Sequence, residues 1–131
     1  MTNFVVNKSV MRNKKTLVLG ASSNPSRYSY MAIKSLSDKE HSVVAIGLKE
    51  EEVLGVKIQT KQIPFTNIDT VTLYLNPQRQ RDYYNYVVSL APKRVIFNPG
   101  TENPEFYQLL KLNNIKVEVA CTLVLLSTKQ Y

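Results

Sequence analysis

Apolar and polar positions follow two rhythms along this chain. Five short runs rich in aliphatic and β-branched residues occur at 16–19, 42–46, 70–75, 94–97 and 115–120; between several of them, apolar residues recur at three- and four-residue spacing. Near-continuous apolar strands are those buried on both faces, so the pattern predicts a parallel sheet covered by helices. Tyr28, Ala32, Ile33 and Leu36 predict a helix over 27–39, Tyr84, Val87, Val88 and Ala91 a second over 78–90, and Phe106, Leu109 and Leu110 a shorter third. Pro104 after Asn103 and Pro77 after Asn76 suit the first position and the cap of a helix. The expected fold class is α/β: a three-layer, Rossmann-like, doubly wound parallel sheet of five strands in the order 3-2-1-4-5.

Residues 50–69 fit this scheme least. The run Val53-Leu54-Gly55-Val56-Lys57-Ile58 suggests a short extended excursion or a poor helix, and Pro64 bars a continuous helix through the segment. No repeat, low-complexity stretch or interdomain linker is evident, and 131 residues suit one core. The expected organisation is a basic amino-terminal arm over 1–14 and a single domain over 15–131.

The turn residues collect on one side. Gly20, Gly47 and Gly100 lie at or just beyond the carboxyl ends of expected strands, as do the pairs Asn24-Pro25, Asn76-Pro77, Asn98-Pro99 and Asn103-Pro104. Open α/β sheets bind ligands outside the carboxyl strand ends where the strand order reverses, which would bring residues 20–27 near 74–78. Short βα loops favour Asn, Gly and Pro without any ligand, so this bias alone does not define a site. The segment from Gly20 through Ala21, Ser22, Ser23, Asn24, Pro25 and Ser26 to Arg27 reads as strand, tight polar loop and helix start. Unpaired backbone N–H groups and the positive end of the dipole make such a helix start a phosphate cradle, to which serine hydroxyls and the Arg27 guanidinium would add donors.

Charge and composition narrow the picture. Apolar residues make up 44% of the chain and the formal net charge is +7, with Lys8, Arg12, Lys14 and Lys15 clustered before the first strand. This favours an anionic partner without choosing among nucleotide, nucleic acid and acidic protein. One cysteine, Cys121, excludes an internal disulfide, and with the single His41 leaves little for a metal site. The absence of a membrane-length apolar run or a secretory pattern predicts a cytoplasmic protein. A dinucleotide enzyme is poorly matched: the loop has one glycine where that fingerprint has three, and the second strand ends Ala45-Ile46-Gly47-Leu48-Lys49 without an acid. Lys49 would instead favour an additional phosphate on the ribose.

Three motifs in order carry a resemblance over residues 15–127: Gly20-Ala21-Ser22 through Arg27, Pro99-Gly100-Thr101-Glu102-Asn103, and Cys121-Thr122-Leu123-Val124. Together they resemble the small CoA-binding proteins whose fold is shared with the CoA-binding domain of succinyl-CoA synthetase and belongs with the NAD(P)-binding domain superfamily. The resemblance implies a Rossmann-like domain that takes coenzyme A or an acyl-CoA as ligand at the strand ends. Gly20, Ala21, Ser22, Ser23, Asn24, Pro25, Arg27 and Tyr28 would hold the pyrophosphate, Gly47 and Leu48 would border the adenosine, and Asn76, Pro77, Asn98, Pro99 and Gly100 would line the crevice. Many relatives carry Asn-Pro where this chain has Gly47-Leu48. No catalytic residue and no metal are expected, and enzymatic activity is left open. The alternatives are an NADP- or nucleotide-dependent enzyme and a basic interaction module. The expected partner is a small CoA-type molecule, with no membrane or nucleic acid; the eight tyrosines make a homodimer conceivable.

Overall fold

The computed structural model describes residues 13–131. Lys8, Arg12 and the rest of the expected arm through residue 12 lie outside the described residues. The chain forms β1 (Thr16–Ala21), α1 (Tyr28–Asp38), β2 (Val43–Gly47), β3 (Glu51–Val53), β4 (Val56–Gln59), β5 (Thr70–Leu73) and α2 (Pro77–Gln80). A 3-10 turn (Arg81–Tyr83), α3 (Tyr84–Leu90), β6 (Arg94–Phe97), α4 (Pro104–Leu112), β7 (Lys116–Val119) and α5 (Thr122–Ser127) complete it.

Alternation along the strands separates two apolar layers. Leu17 and Leu19 of β1, Val71 and Leu73 of β5, and Val95 and Phe97 of β6 join Val87 of α3 and Phe106 and Leu110 of α4 in one core. Val18, Ala45 and Ile58 join Ile33 and Leu36 of α1 and Leu126 of α5 in the other. Helices thus cover both sheet faces, and full burial of such a side chain contributes about 1.5–3 kcal/mol.

The sheet has seven strands in the order β3-β4-β2-β1-β5-β6-β7, not five in the order 3-2-1-4-5. Residues 51–59 supply the difference. Leu54 (φ 50°) and Gly55 (φ 84°) are both left-handed, the backbone needed for a tight hairpin between β3 and β4. Strand β4 then pairs parallel to β2 through Ala45↔Ile58, taking the outer flank where the expected order put residues 70–75. Strand β5 pairs with β1 instead, through Leu17↔Val71 and Leu19↔Leu73. The order therefore reverses between β1 and β5, and their carboxyl ends are direct neighbours. β3 is the sheet's antiparallel member.

Two helical expectations also change. The helix expected over 78–90 breaks after Gln80, whose side chain is fully buried and turned to loop carbonyls; the chain passes through a 3-10 turn before α3. Helix α5 was not among the expected elements: its six residues are too few for a period to show. No helix among the described residues is long and apolar enough to cross a membrane.

Candidate functional site

The site begins with two close approaches at the carboxyl edge. Gly20 has φ +98°, and a Cβ there would lie 3.0 Å from the Tyr74 backbone and 3.1 Å from the Leu75 side chain. A Cβ on Gly47 would lie 2.2 Å from the Ala21 carbonyl oxygen, beside the register shift between β1 and β2. Gly47 is thus required by packing between neighbouring strand ends, and Gly20 by its left-handed backbone, with tight packing beside it. Beyond them opens a crevice of about 770 Å³, within the range of small-molecule sites.

The Asn-Pro pairs divide into two kinds. Asn76 Oδ1 accepts from Arg79 N at 2.9 Å, and Asn103 Oδ1 accepts from Phe106 N at 3.3 Å, capping α2 and α4. Asn98 Oδ1 accepts from Thr122 N at 2.9 Å, satisfying the first residue of α5. Asn24 differs: its Oδ1 accepts from Ser26 N at 3.0 Å and Ser26 Oγ at 2.8 Å, closing its own turn. Helix α1 is left with no side-chain cap and no acidic residue in its first turn. Its start lies in the crevice wall, where Ser22, Ser23, Asn24, Arg27, Tyr28 and Ser29 line the cavity.

Of the other expected site residues, Gly20, Ala21, Gly47, Leu48, Asn76, Pro99 and Gly100 line the same cavity. Three do not. Asn98 is buried, and its Nδ2 donates to Thr72 Oγ1 at 2.7 Å and Leu73 O at 2.9 Å, so its amide is committed to structure. Pro77 faces a neighbouring hollow with Gln78, Arg81 and Tyr84. Pro25 is exposed on the loop, outside the lining. Ser26, whose hydroxyl was expected as a donor, spends it on Asn24.

The crevice also includes residues not assigned to the ligand by the resemblance, of which Lys49 and the 74–78 segment were expected near the site on other grounds. Lys49 and Glu51 come from the segment after β2, Tyr74 and Leu75 follow β5, Arg79 and Tyr83 come from the α2 region, and Ser29, Ile46 and Thr101 complete the lining. Arg79 was legible in principle, since an Asn-Pro cap at 76–77 makes it the third residue of the turn. Arg27, Lys49 and Arg79 against Glu51 give the lining an excess of positive charge. None of the three cations is in an ion pair among the described residues. Tyr28 and Leu48 stand 70% and 74% exposed at this cavity, as apolar surface without protein cover.

Acid–base chemistry has little support in this wall. Burial pushes the Tyr74 phenol up to about 12, so it keeps its proton at neutral pH. Glu102 accepts from Gly100 N at 2.8 Å and holds that turn. Cys121 is half-buried ahead of α5, outside the lining. His41 lies at the opposite edge, where its Nδ1 accepts from Lys14 N at 2.9 Å. Tyr83, Tyr84 and Tyr86 make intramolecular contacts: Tyr83, which also lines the crevice, meets Tyr86 edge-on with ring centroids 6.4 Å apart, Tyr84 packs on Phe106 at 4.4 Å, and Tyr86 is buried and donates to Ile63 O. No cluster of three or more His, Cys, Asp or Glu suited to a metal occurs among the described residues.

A mostly parallel sheet, covered on both faces and opened at its order reversal, defines a Rossmann-like α/β domain. Residues 14–127 match the family model of the CoA binding domain, and the chain belongs to that family. A crystal structure of a protein described as uncharacterized is 48% identical, with a TM-score of 0.89 over 91% of this chain and 98% of that one. A hypothetical protein from Pyrococcus horikoshii OT3 is 27% identical, with a TM-score of 0.77 over 95% and 89% of the two chains. A Thermus thermophilus structure at 23% identity and TM-score 0.80 covers 100% of both chains and shares the fold. No curated protein matches the chain.

Proposed function

We propose that this protein binds coenzyme A or an acyl-CoA, with the diphosphate at the start of α1. The observation that carries the reading is the uncapped first turn of α1 at the crevice. The starts of α2, α4 and α5 are served by Asn76, Asn103 and Asn98, and α3, which also lacks a side-chain cap, continues from the 3-10 turn with Tyr84 N donating to Arg81 O, whereas α1 opens on the crevice. A diphosphate would satisfy those amides and pair with Arg27, whose charge otherwise opposes the helix dipole. Lys49 supplies a counter-charge for a phosphate on the ribose, and Tyr28 and Leu48 supply apolar surface for the base. The pantetheine arm then runs over β5 toward Pro99 and Gly100. Membership in the CoA-binding domain family supports this ligand class.

Thermal unfolding with added ligand tests the reading. CoA at about a hundredfold over its dissociation constant adds roughly 2.7 kcal/mol of stability, which raises the midpoint by about 10 °C. CoA and acetyl-CoA should stabilise the protein more than dephospho-CoA, because only the first two present the ribose phosphate to Lys49. A saturating shift with NADP and none with millimolar CoA defeats the proposal.

A further inference from the structure

Gln80 closes α2 and is 0% exposed, one of the largest fully buried side chains of the molecule. Its Nε2 donates to Leu75 O and to Thr101 O, both at 2.8 Å, and its Oε1 accepts from Asn103 Nδ2 at 2.9 Å. Asn103 Nδ2 also donates to the Tyr84 hydroxyl at 2.8 Å, which donates in turn to Glu105 Oε1 at 3.0 Å. Both amides therefore use both of their N–H donors. The carbonyls that Gln80 joins belong to different loops: Leu75 follows β5, Thr101 follows β6, and both line the crevice. Thr101 is tied down further by N–H and Oγ1 bonds to Asn98 O at 3.0 and 2.7 Å.

An apolar side chain could fill this volume without desolvating an amide. What it could not do is hold two buried carbonyls together, since each needs a donor and the two repel one another. A fully satisfied buried network also admits one geometry. The geometry points to Gln80 as a positioning residue that sets the separation of the Leu75 and Thr101 loops and so preforms the distal wall of the crevice. A wall built in advance spares the ligand the ordering cost of assembling it. The affinity consequence rests on the proposed CoA reading; the coupling between the two loops does not.

The test uses Gln80→Met, which keeps the length and removes every hydrogen bond, and Gln80→Glu, which keeps the shape but offers at most one donor. Calorimetric affinity for CoA should fall by about tenfold in each, the equivalent of one lost buried hydrogen bond. Amide exchange at Leu75, Asn76, Gly100 and Thr101 should accelerate while Leu17, Val18 and Leu19 stay protected. Val117→Ala, in β7 and away from the crevice, should lower stability with CoA affinity unchanged. Wild-type affinity in the folded Gln80 variants, or faster exchange spread evenly over the sheet, overturns the inference. A wild-type protein that fails to bind CoA defeats the ligand assignment alone, and the exchange pattern then decides on Gln80.

Discussion

The two edges of the sheet treat positive charge differently. At the amino edge several cations have partners: Arg94 bonds Glu118 at 3.0 Å and Thr70 Oγ1 at 2.8 Å, and stacks 4.2 Å from the Tyr131 ring centroid. Lys14 Nζ donates to Tyr131 O at 2.6 Å, Lys15 Nζ to Thr66 O at 2.8 Å, and Lys93 lies 3.8 Å from Asp69. At the carboxyl edge Arg27, Lys49 and Arg79 surround a cavity without ion-pair partners among the described residues. The net charge of +7 therefore says little about binding; its distribution between compensated and uncompensated positions says more. Much of the charge at the amino edge is tied into the fold, and the charge at the carboxyl edge is left for the ligand proposed above.

Substitutions at the two edges should separate accordingly. Arg94→Ala strands a partly buried Glu118 and strips the cover from Tyr131, so it should cost about 3 kcal/mol in chemical denaturation. CoA affinity, measured where the variant is folded, should not change. Arg27→Ala should show the reverse: a loss of about 1.5–3 kcal/mol in CoA binding, as for a charged hydrogen bond, with stability constant or a few tenths higher. An Arg27 variant that loses stability but keeps affinity would erase the contrast.

The smallest effect concerns pH. Burial, reinforced by Lys14 and Arg94, holds His41 below its ordinary range, and protonating Nδ1 would break its bond from Lys14 N. The unfolded chain therefore takes up this proton first. Stability is fully present above the unfolded value near pH 6.5 and is lost as pH falls toward the folded value. Denaturation midpoints should decline on acidification through that window, and His41→Gln should flatten the slope.

Much of this arrangement was legible in the residues. The strands near 16–19, 70–75 and 94–97 were visible because burial on both faces leaves a near-continuous apolar run. The strand near 42–46 showed through its contiguous aliphatic residues, and the one near 115–120, at the sheet edge and interrupted by Lys116 and Glu118, through the alternation of Ile115, Val117 and Val119. The caps at Asn76 and Asn103 were visible because proline follows each. The strand order was not, because it depends on a hairpin whose strands are three and four residues long, with Glu51, Glu52, Lys57 and Gln59 among them. Once that hairpin occupies the flank of β2, β5 must pair on the other side of β1. The fate of Asn98 was hidden for a related reason: its motif places it at a strand end, but only the fold shows that Thr72, Leu73 and Thr122 claim its amide. Gln80 carries no motif, and a glutamine near the start of a helix looks like ordinary solvent-facing polarity.

Gly47 has a consequence for how this chain can vary. With only 2.2 Å between a hypothetical Cβ and the Ala21 carbonyl oxygen, any larger residue must force the ends of β1 and β2 apart. A randomised library selected for folding alone, with no ligand present, would still return glycine at that position. Retention of this small residue in such a selection would record the shape of the sheet and carry no information about what the protein holds.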